Sequence, residues 1–258
     1  MSKIYADTIE TQNSNVDITL GTSGDAVLIP AGATLKTNKI ADAGGNTIFS
    51  SDGSGTLSDV NSAFNGSNMQ LLTTNTASDS ANLSFTSLID ATYYLYMFIW
   101  RGIKGSSNSN FFSVEFSTDG GSTWSTTKTT SYVYAYHEAD AGDTSGLTAP
   151  ASRWIANTTG YQKLDNDNSS EADASSTGRL YLFYPSAYAD GTLYSGGYKQ
   201  FIWKAQNKAH DGSEYWSKMV QGMGFLDAGT PVTGVDFKMT TGNIVSGTVK
   251  MYGIGGTI

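Results

Sequence analysis

Residues 117–124 hold the most regular local pattern of side chains with chemical potential in this chain. They read Ser-Thr-Asp-Gly-Gly-Ser-Thr-Trp, so a carboxylate, four hydroxyl groups and a tryptophan lie within eight residues. An Asp in a tight turn accepts hydrogen bonds from backbone N–H groups, and Gly supplies the positive φ that such a turn needs. The spacing therefore predicts a structural hairpin turn shaped by Ser117, Asp119, Gly121 and Thr123, with Trp124 packed beneath it.

The same pattern, Ser-x-Asp-x-Gly-x-Thr-Trp, resembles the Asp box of sialidases and other β-propeller proteins. The resemblance to sialidases implies an active site in which three arginines surround a carboxylate of the substrate. This chain has three arginines, Arg101, Arg153 and Arg179. A propeller sialidase repeats the box, whereas it occurs once in this chain, which is too short for six blades and a stem. A structural turn is therefore the favoured interpretation, and we predict no catalytic residue.

Two other groups of ionisable residues invite a metal-binding or catalytic interpretation. Asp165–Asp173 has carboxylates at alternate positions, as oxygen-rich Ca²⁺ loops do, but it lacks the Gly and the Glu of an EF-hand loop. We favour a solvated acidic surface loop there, and calcium binding stays open. His137 and His210 each precede an acidic residue, but the chain has no Gly-x-Ser-x-Gly elbow and no nucleotide-binding glycine motif. We therefore predict no enzyme, no cofactor and no metal.

Tyrosine is the commonest aromatic residue, with 15 in the chain, and many tyrosines lie beside Gly, Ser, Asp or Ala. Tyr, Trp, Ser and Gly together make adaptable binding surfaces at a small entropic cost. Tyr132, Tyr134 and Tyr136 alternate along one segment, which is also typical of half-buried strand residues. The residues expected in loops that are candidates for receptor contact are Trp154, Tyr188 and Tyr194.

The overall composition is poor in charge and rich in hydroxyl groups. Ser and Thr make up 63 of the 258 residues, only 15% are charged, and Cys is absent. These counts exclude a disulfide framework, Cys-ligated zinc and a helical bundle. A net charge of −8 argues against nucleic-acid binding, and no apolar run approaches the roughly 18 residues of a membrane span. The first residues lack a signal-peptide pattern, so we expect folding in a cytoplasm.

The aromatic residues divide the chain into two predicted domains. Residues 1–60 contain two of the 31 aromatic residues, and residues 61–258 contain the other 29. Between residues 16 and 49, short aliphatic stretches are separated by Gly, Asp and Ser turns every 7–10 residues. Such a segment is too poor in apolar residues to fold alone, so we expect an oligomeric β-stem whose strands share a core with other chains. Ser50–Ser58 is typical of a hinge.

The second predicted domain, 61–258, has the pattern of an all-β fold, a β-sandwich or jelly roll. Many short alternating segments separated by turn residues favour that architecture. Clear alternation occurs in Phe111–Phe116, Ser131–Tyr136, Leu180–Tyr184, Tyr198–Trp203, Val232–Met239 and Thr248–Tyr252. Low hydrophobicity predicts long surface loops at 104–110, 137–152 and 162–179.

Both ends and the middle of the chain resemble a known class of proteins. Met1–Glu10, Val16–Gly21 and Ile29–Leu35 resemble the start of tail-fibre-like virion proteins of tailed bacteriophages, most of all those of marine, cyanobacterial phages. Gly242–Ile254 is similar to their closing strand, and Leu88–Tyr96 is similar to their sandwich domain. The resemblance implies a homotrimer whose first residues attach to other virion proteins, whose stem is intertwined and whose sandwich binds a host-surface receptor.

Three functions follow from these patterns. The first is a receptor-binding fibre in the virion, assembled in the host cytoplasm, that recognises a glycan or protein on the host without catalysis or membrane insertion. The second is a non-adhesive structural part of the particle, such as a head fibre or a tail subunit. The third is a tailspike that cleaves surface polysaccharide. The host, the receptor and the position on the particle stay open at this point.

Overall fold

A computed structural model of the chain describes residues 37–42, 44–54, 57–60, 69–138, 144–186, 199–210 and 215–255. The chain divides into two compact units, Met1–Gly66 and Ser67–Ile258. The regular elements of the described residues are antiparallel strands and one short 3₁₀ helix, Ala151–Arg153. The predicted all-β class is therefore confirmed. None of the described helical residues forms a segment with the length and apolarity to cross a membrane.

The described part of the first unit is a small antiparallel sheet. Its strands are β1 (Lys39–Ala41), β2 (Thr47–Ser51) and β3 (Leu57–Val60), paired in that order. The Asp42 carboxylate accepts hydrogen bonds from the backbone N–H groups of Gly44 and Asn46, at 2.9 and 2.8 Å, and so closes the turn between β1 and β2. The predicted stem strands before residue 37 and the predicted virion-attachment residues lie outside the described residues.

The hinge predicted at Ser50–Ser58 overlaps strand residues in the described part of that stretch, and its role as a hinge stays a prediction. β2 continues through Ser51, and β3 already begins at Leu57, which is paired with Ser51. Ser50 is likewise paired with Asp59 across the same two strands. In the described residues after β2, Gly53 has a φ of 82° and the Ser54 N–H donates a 2.8 Å hydrogen bond to the Asp52 carboxylate, as in a turn.

The second unit contains the remaining strands of the described residues. Their bounds are β4 (Met69–Thr76), β5 (Leu83–Phe85), β6 (Leu95–Gly105), β7 (Phe112–Ser117), β8 (Lys128–Glu138), β9 (Ser145–Thr148), β10 (Gln162–Lys163), β11 (Ser175–Phe183), β12 (Lys199–His210), β13 (Tyr215–Leu226), β14 (Gly234–Met239) and β15 (Ile244–Ile254). Eight strands form the larger sheet, in the order β4-β15-β6-β11-β12-β13-β8-β9. Four strands form the smaller sheet, in the order β10-β7-β14-β5.

Alternate side chains of the two sheets meet in one aromatic core. Trp100 of β6 lies 5.5 Å from Phe112 of β7, and Phe116 of β7 lies 4.9 Å from Phe201 of β12, between ring centroids. All four side chains are fully buried. Burial of each large apolar side chain stabilises a fold by roughly 2–3 kcal/mol. The two sheets therefore pack as a sandwich, as the alternation of apolar residues predicted.

The predicted surface loop at 162–179 is wrong in its acidic part. Asp165, Asn168 and Ser169 are fully buried, and Asn166 is only 3% exposed. Two backbone hydrogen bonds between Asn110 and Asn168, of 3.1 and 2.6 Å, hold this acidic segment in its buried position. Only its later residues, such as Asp173, are exposed, so the acidic stretch is a buried polar connection that emerges at the surface.

Candidate functional site

One face of the larger sheet continues beyond the aromatic core as a partly open surface. β12 and β13 have 12 residues each, whereas β7 and β14 of the smaller sheet have 6 each. Along β8, Tyr132 is buried in the core, while Tyr134 and Tyr136 are half-buried on the same face of the sheet. The strand register places Lys218 opposite Tyr136 and Trp216 one step farther along that face.

A pocket of about 430 Å³ lies on this surface. We call it the Tyr134–Trp216 pocket, and its described lining residues are Ser109, Tyr134, Tyr136, Thr144, Asp167, Ala209, Trp216 and Lys218. Small-molecule sites commonly have volumes of roughly 300–1,000 Å³ and combine apolar rings with a few polar groups. The pocket has that character, since three rings share it with hydroxyl groups and one pair of opposite charges.

Contacts between aromatic rings connect the pocket to the core. Tyr132 lies 6.5 Å from Trp203 and 6.1 Å from Tyr134, between ring centroids. Tyr136 lies 5.8 Å from Tyr134 and 5.6 Å from Trp216. Each such pair contributes about 0.5–1.5 kcal/mol beyond its burial. Because Tyr132 and Trp203 are fixed in the core, the pocket rings are already positioned before any ligand binds.

A glycine of the edge strand β9 leaves room for the ring of Tyr136. Gly146 of β9 is paired with Tyr136 of β8, and the tyrosine ring lies over its backbone. A Cβ atom at Gly146 would lie 2.9 Å from both the ring and the hydroxyl oxygen of Tyr136. Any side chain at residue 146 would therefore push the ring out of its present position and change the shape of the pocket.

An ion pair forms the polar side of the pocket. Lys218 Nζ lies 2.6 Å from Asp167 Oδ2, and the side chains are 10% and 39% exposed. The same ammonium group lies 5.5 Å from the centroid of the Trp216 ring. Among the described lining residues, Asp167 is the single carboxylate and none is a histidine. The lining can therefore stack on an apolar ring face and hydrogen-bond polar groups at the edge of that ring.

The segment that carries Asp167 is anchored by the buried carboxyl group of Asp165. Asp165 Oδ1 accepts a hydrogen bond of 2.7 Å from the Phe112 N–H, and Oδ2 accepts one of 3.0 Å from the Asn168 amide. The Asp165 carbonyl also accepts a 2.9 Å hydrogen bond from the Tyr132 hydroxyl. Burial raises the pKa of Asp165 to about 7, although these hydrogen bonds act in the opposite direction. The network fixes the polar side of the pocket to the core.

Comparison with known proteins gives no indication of what the pocket binds, so the interpretation rests on the side chains of the pocket. No protein-family model, curated protein or solved structure matches the chain. In the part of the chain that the structure describes, no three His, Asp or Glu side chains are grouped as ligands of a metal ion. The side chains themselves favour recognition of a ring with an apolar face and a hydroxylated edge.

The turn at 117–124 is an internally hydrogen-bonded loop. Asp119 Oδ1 accepts hydrogen bonds from the Ser117 hydroxyl at 2.6 Å and the Thr123 N–H at 2.9 Å, and Oδ2 accepts one from the Thr123 hydroxyl at 2.8 Å. The Gly121 N–H donates to the Ser117 hydroxyl, and Gly121 has a φ of 88°. The Trp124 ring lies close to Gly121 and is half-buried. All these contacts are made within the turn, which gives the carboxylate a structural role.

Replacing Asp119 by Asn should loosen this turn and lower the thermal midpoint at pH 7 by about 2–4 °C, the scale of a modest change in a domain of this size. Hydrogen bonds from Ser117 and Thr123 lower the pKa of Asp119 to about 2. A lowered folded-state pKa means that the stabilisation is present above pH 4 and is lost as the pH falls through 2. Calorimetry should therefore show the difference between variant and wild type shrinking from pH 4 toward pH 2.

Asp227→Asn is the matched control for this turn, because Asp227 is an exposed carboxylate whose side chain is outside the hydrogen bonds described above. It should leave the thermal midpoint within about 1 °C of wild type. An Asp119→Asn variant with an unchanged midpoint at pH 7 would show that the carboxylate does not stabilise the turn.

The structure places one of the three residues predicted for receptor contact. Trp154 follows the 3₁₀ helix, its side chain is 46% exposed, and its Nε1 donates a 3.1 Å hydrogen bond to the Tyr132 carbonyl. It lies beside β8 but is not part of the described pocket lining. Tyr188 and Tyr194 lie outside the described residues, so receptor contact by these three side chains stays a prediction.

The pocket itself was only partly visible in the sequence. The alternation of Tyr134 and Tyr136 indicated a shared face, but the pattern did not distinguish a core face from an open one. Trp216, Lys218 and Asp167 were not singled out, because the first two lie on β13 and Asp167 reaches the pocket from a segment 51 positions before Lys218. No local signal connects them.

Proposed function

We propose that this chain is a virion fibre protein of a bacteriophage, whose β-sandwich holds a sugar ring of a host-surface glycan in the Tyr134–Trp216 pocket without cleaving it. The observation that carries the proposal is the group of three adjacent rings, Tyr134, Tyr136 and Trp216, whose successive centroids are 5.8 and 5.6 Å apart. Sugars present apolar C–H faces, which suit aromatic rings, and hydroxyl edges, which suit polar side chains. The pocket offers both kinds of contact.

The fibre part of the proposal is supported by the sequence. Both ends of the chain resemble tail-fibre-like virion proteins, and the first sixty residues are too poor in aromatic side chains to form a core alone. We therefore place the N-terminal part at the particle, in contact with other virion proteins, and the sandwich at the host surface. A homotrimer, with the stem strands sharing one core, is the oligomer that the resemblance favours.

The carboxyl groups of the pocket support the part of the proposal that the glycan is bound and not cleaved. Glycoside hydrolysis uses two carboxyl groups roughly 5–9.5 Å apart on either side of the scissile bond. The described lining supplies Asp167 alone, and its carboxylate is paired with Lys218 at 2.6 Å. Purified protein incubated with bacterial envelope polysaccharides should therefore release no oligosaccharide. Release of defined fragments would instead favour the tailspike hypothesis.

Replacing Trp216 by Ala should weaken glycan binding at least tenfold, since loss of a buried aromatic contact commonly costs about 1.4 kcal/mol or more of binding free energy. Tyr136→Ala should have a similar effect, because its ring stands between Tyr134 and Trp216. The measurement is binding to an immobilised panel of bacterial envelope polysaccharides, followed by titration of the best one. Tyr184→Ala is the matched control, as Tyr184 is 51% exposed and lies outside the pocket.

The outcomes of this experiment separate the receptor-binding function from the purely structural one. Binding that is lost in Trp216→Ala and kept in Tyr184→Ala supports the pocket as the receptor site. Binding that is lost only in Trp154→Ala would move the receptor site to the surface predicted from the sequence. Wild-type protein that binds no polysaccharide in the panel and adsorbs to no cell type would favour a purely structural virion part.

A further inference from the structure

The opposite face of the larger sheet carries positive charge, and none of the Asp or Glu residues of its described strands lies on it. Among the residues of its eight strands, Glu138 is the single Asp or Glu, and it is buried on the face that bears the pocket. The Lys and Arg side chains on the opposite face are Arg101, Lys104, Arg179, Lys204, Lys208 and Lys250. We call this surface the basic face. It stands out because the whole chain has a net charge of −8.

Three of these cations form a row across neighbouring strands. Arg179 of β11 is directly opposite Lys204 of β12 and, on its other side, opposite Ile99 of β6. Ile99 is in turn paired with Lys250 of β15. The row from Lys250 to Lys204 crosses three strand spacings, about 14 Å. Like charges directly opposite one another destabilise a sheet, so the Arg179–Lys204 pair has a cost that an anionic ligand would remove.

A second row, adjacent to the first, is apolar and aromatic. Tyr252, Met97, Tyr181, Ile202 and Met223 occupy successive paired positions on β15, β6, β11, β12 and β13. Ile202 is 42% exposed and Met223 is 57% exposed, so the row is accessible at its β12 and β13 end, whereas Met97 of β6 is buried. The guanidinium of Arg179 lies 5.8 Å from the Tyr181 ring centroid. Charge and ring surface therefore run side by side across the sheet.

We propose that the basic face binds an acidic polysaccharide, a chain of sugars that bear carboxylate, sulfate or phosphate groups. Repeated negative charges match the cation row, and the sugar ring faces match the row of Tyr181 and Met223. Charge complementarity favours a polyanion over a second copy, because a face-to-face contact would oppose the cations of one chain to those of the other. The proposal is independent of the Tyr134–Trp216 pocket, which opens on the other face of the sheet.

One cation of the basic face already has a partner in the described part of the chain. Lys208 Nζ lies 2.5 Å from Asp173 Oδ2, and both side chains are about half exposed. A surface pair of this kind contributes little to stability. Lys208 therefore adds less to the attraction for a polyanion than Arg179 and Lys204, and the test is placed on those two residues.

The test uses the full chain and polygalacturonate, a polymer with one carboxylate per sugar, with dextran as the neutral polymer. Wild-type protein should bind polygalacturonate and not dextran, with an affinity that falls as salt rises from 50 to 300 mM. The double variant Arg179→Gln/Lys204→Gln should bind at least tenfold more weakly and with a shallower salt dependence. Lys163→Gln/Lys238→Gln, two cations of the smaller sheet, is the matched control and should bind as wild type.

Two further variants separate the effect of charge from effects on folding and on the Tyr134–Trp216 pocket. Arg179→Lys/Lys204→Arg preserves the charges and should keep binding, which separates charge from folding. Trp216→Ala should also keep binding, so failure of the pocket and failure of the basic face are distinguishable. Unchanged binding in the Gln double variant would overturn the proposal. So would a preference for single-stranded DNA over polygalacturonate, or a change of mass in light scattering without polysaccharide binding, since these would assign the face to nucleic acid or to a second copy.

Discussion

Replacing Lys128 by Met should lower the free energy of unfolding by about 3–5 kcal/mol, the cost of leaving one member of a buried ion pair without its partner. Lys128 Nζ lies 2.5 Å from Glu115 Oε1, and both side chains are fully buried. The same ammonium group donates hydrogen bonds of 2.8 Å to the carbonyls of Thr126 and Gly160. Met matches the length of Lys but removes the charge and all three donors.

The unpaired Glu115 explains why the effect should be so large. Burial already raises the pKa of Glu115 and lowers the pKa of Lys128, in spite of the attraction between them. Without the ammonium group, the carboxylate would lose its compensating charge and take up a proton in the folded state. Its folded-state pKa would then lie farther above the unfolded value, so the variant should be most stable below about pH 4 and weaken as the pH rises.

A double-mutant cycle gives the sharpest measurement. Glu115→Gln/Lys128→Met should be more stable than Lys128→Met alone, because the Gln oxygen is neutral and still accepts a hydrogen bond from the Phe116 or Gly160 N–H. Urea unfolding at pH 7 of wild type, both single variants and the double variant provides the four free energies. Lys204→Met, at an exposed strand position, is the control and should stay within about 0.5 kcal/mol of wild type. A double variant no more stable than Lys128→Met would contradict the explanation by buried charge.

The strands of the sandwich could be predicted because each one carries its pattern locally. Thr248–Tyr252 alternates between polar and apolar residues, and it corresponds to part of β15 (Ile244–Ile254), where Val249 and Met251 are buried. Alternation needs only the residues of one strand and the turns beside it. The order of the strands has no such local signal, since β4 pairs with β15 and the two come from opposite ends of the second unit.

Which charged residues are buried could not be predicted from the sequence, because burial also depends on residues that are distant along the chain. Asp165 stands in a polar stretch that is typical of a surface loop, but the Phe112 N–H and the Asn168 amide satisfy its carboxyl group inside the protein. Glu115 and Lys128 lie 13 residues apart and become a buried pair only when β7 and β8 are in place. Burial of a polar side chain depends on partners elsewhere in the chain, and composition does not show them.

The same limit applies to the binding surfaces. Tyr136 and Trp216 are 80 positions apart, and their rings become neighbours because β8 pairs with β13 in one register. A shift of that register by one residue would place the two rings on different faces of the sheet. The β8–β13 alignment thus creates the pocket, whereas the cations of the basic face are aligned by the pairing of β15, β6, β11 and β12.

Between pH 5 and pH 8, the wild-type protein should lose about 2–3 kcal/mol of stability through Asp165 alone. Burial raises the pKa of this carboxyl group to about 7, above its ordinary value of 3.8. A raised folded-state pKa means that the folded protein holds a proton that the unfolded chain has released. The contribution of Asp165 is therefore fully present below about pH 4 and is lost as the pH rises through 7.

Asp165→Asn should remove this dependence, because an amide has no proton to lose in this range. Its oxygen can still accept the Phe112 N–H, but its NH₂ group would face the Asn168 amide, at a cost of about 1–3 kcal/mol. Urea unfolding at pH 5, 6, 7 and 8 should thus show wild type more stable at pH 5 and the two curves converging by pH 8.

Asp119→Asn is the control and should keep the wild-type dependence of stability on pH, because the pKa of Asp119 is about 2 and lies below this window. An Asp165→Asn variant with the wild-type slope would show that another group titrates. A flat Asp165→Asn curve would show that Asp165 is the group whose titration lowers the stability of the wild type between pH 5 and pH 8.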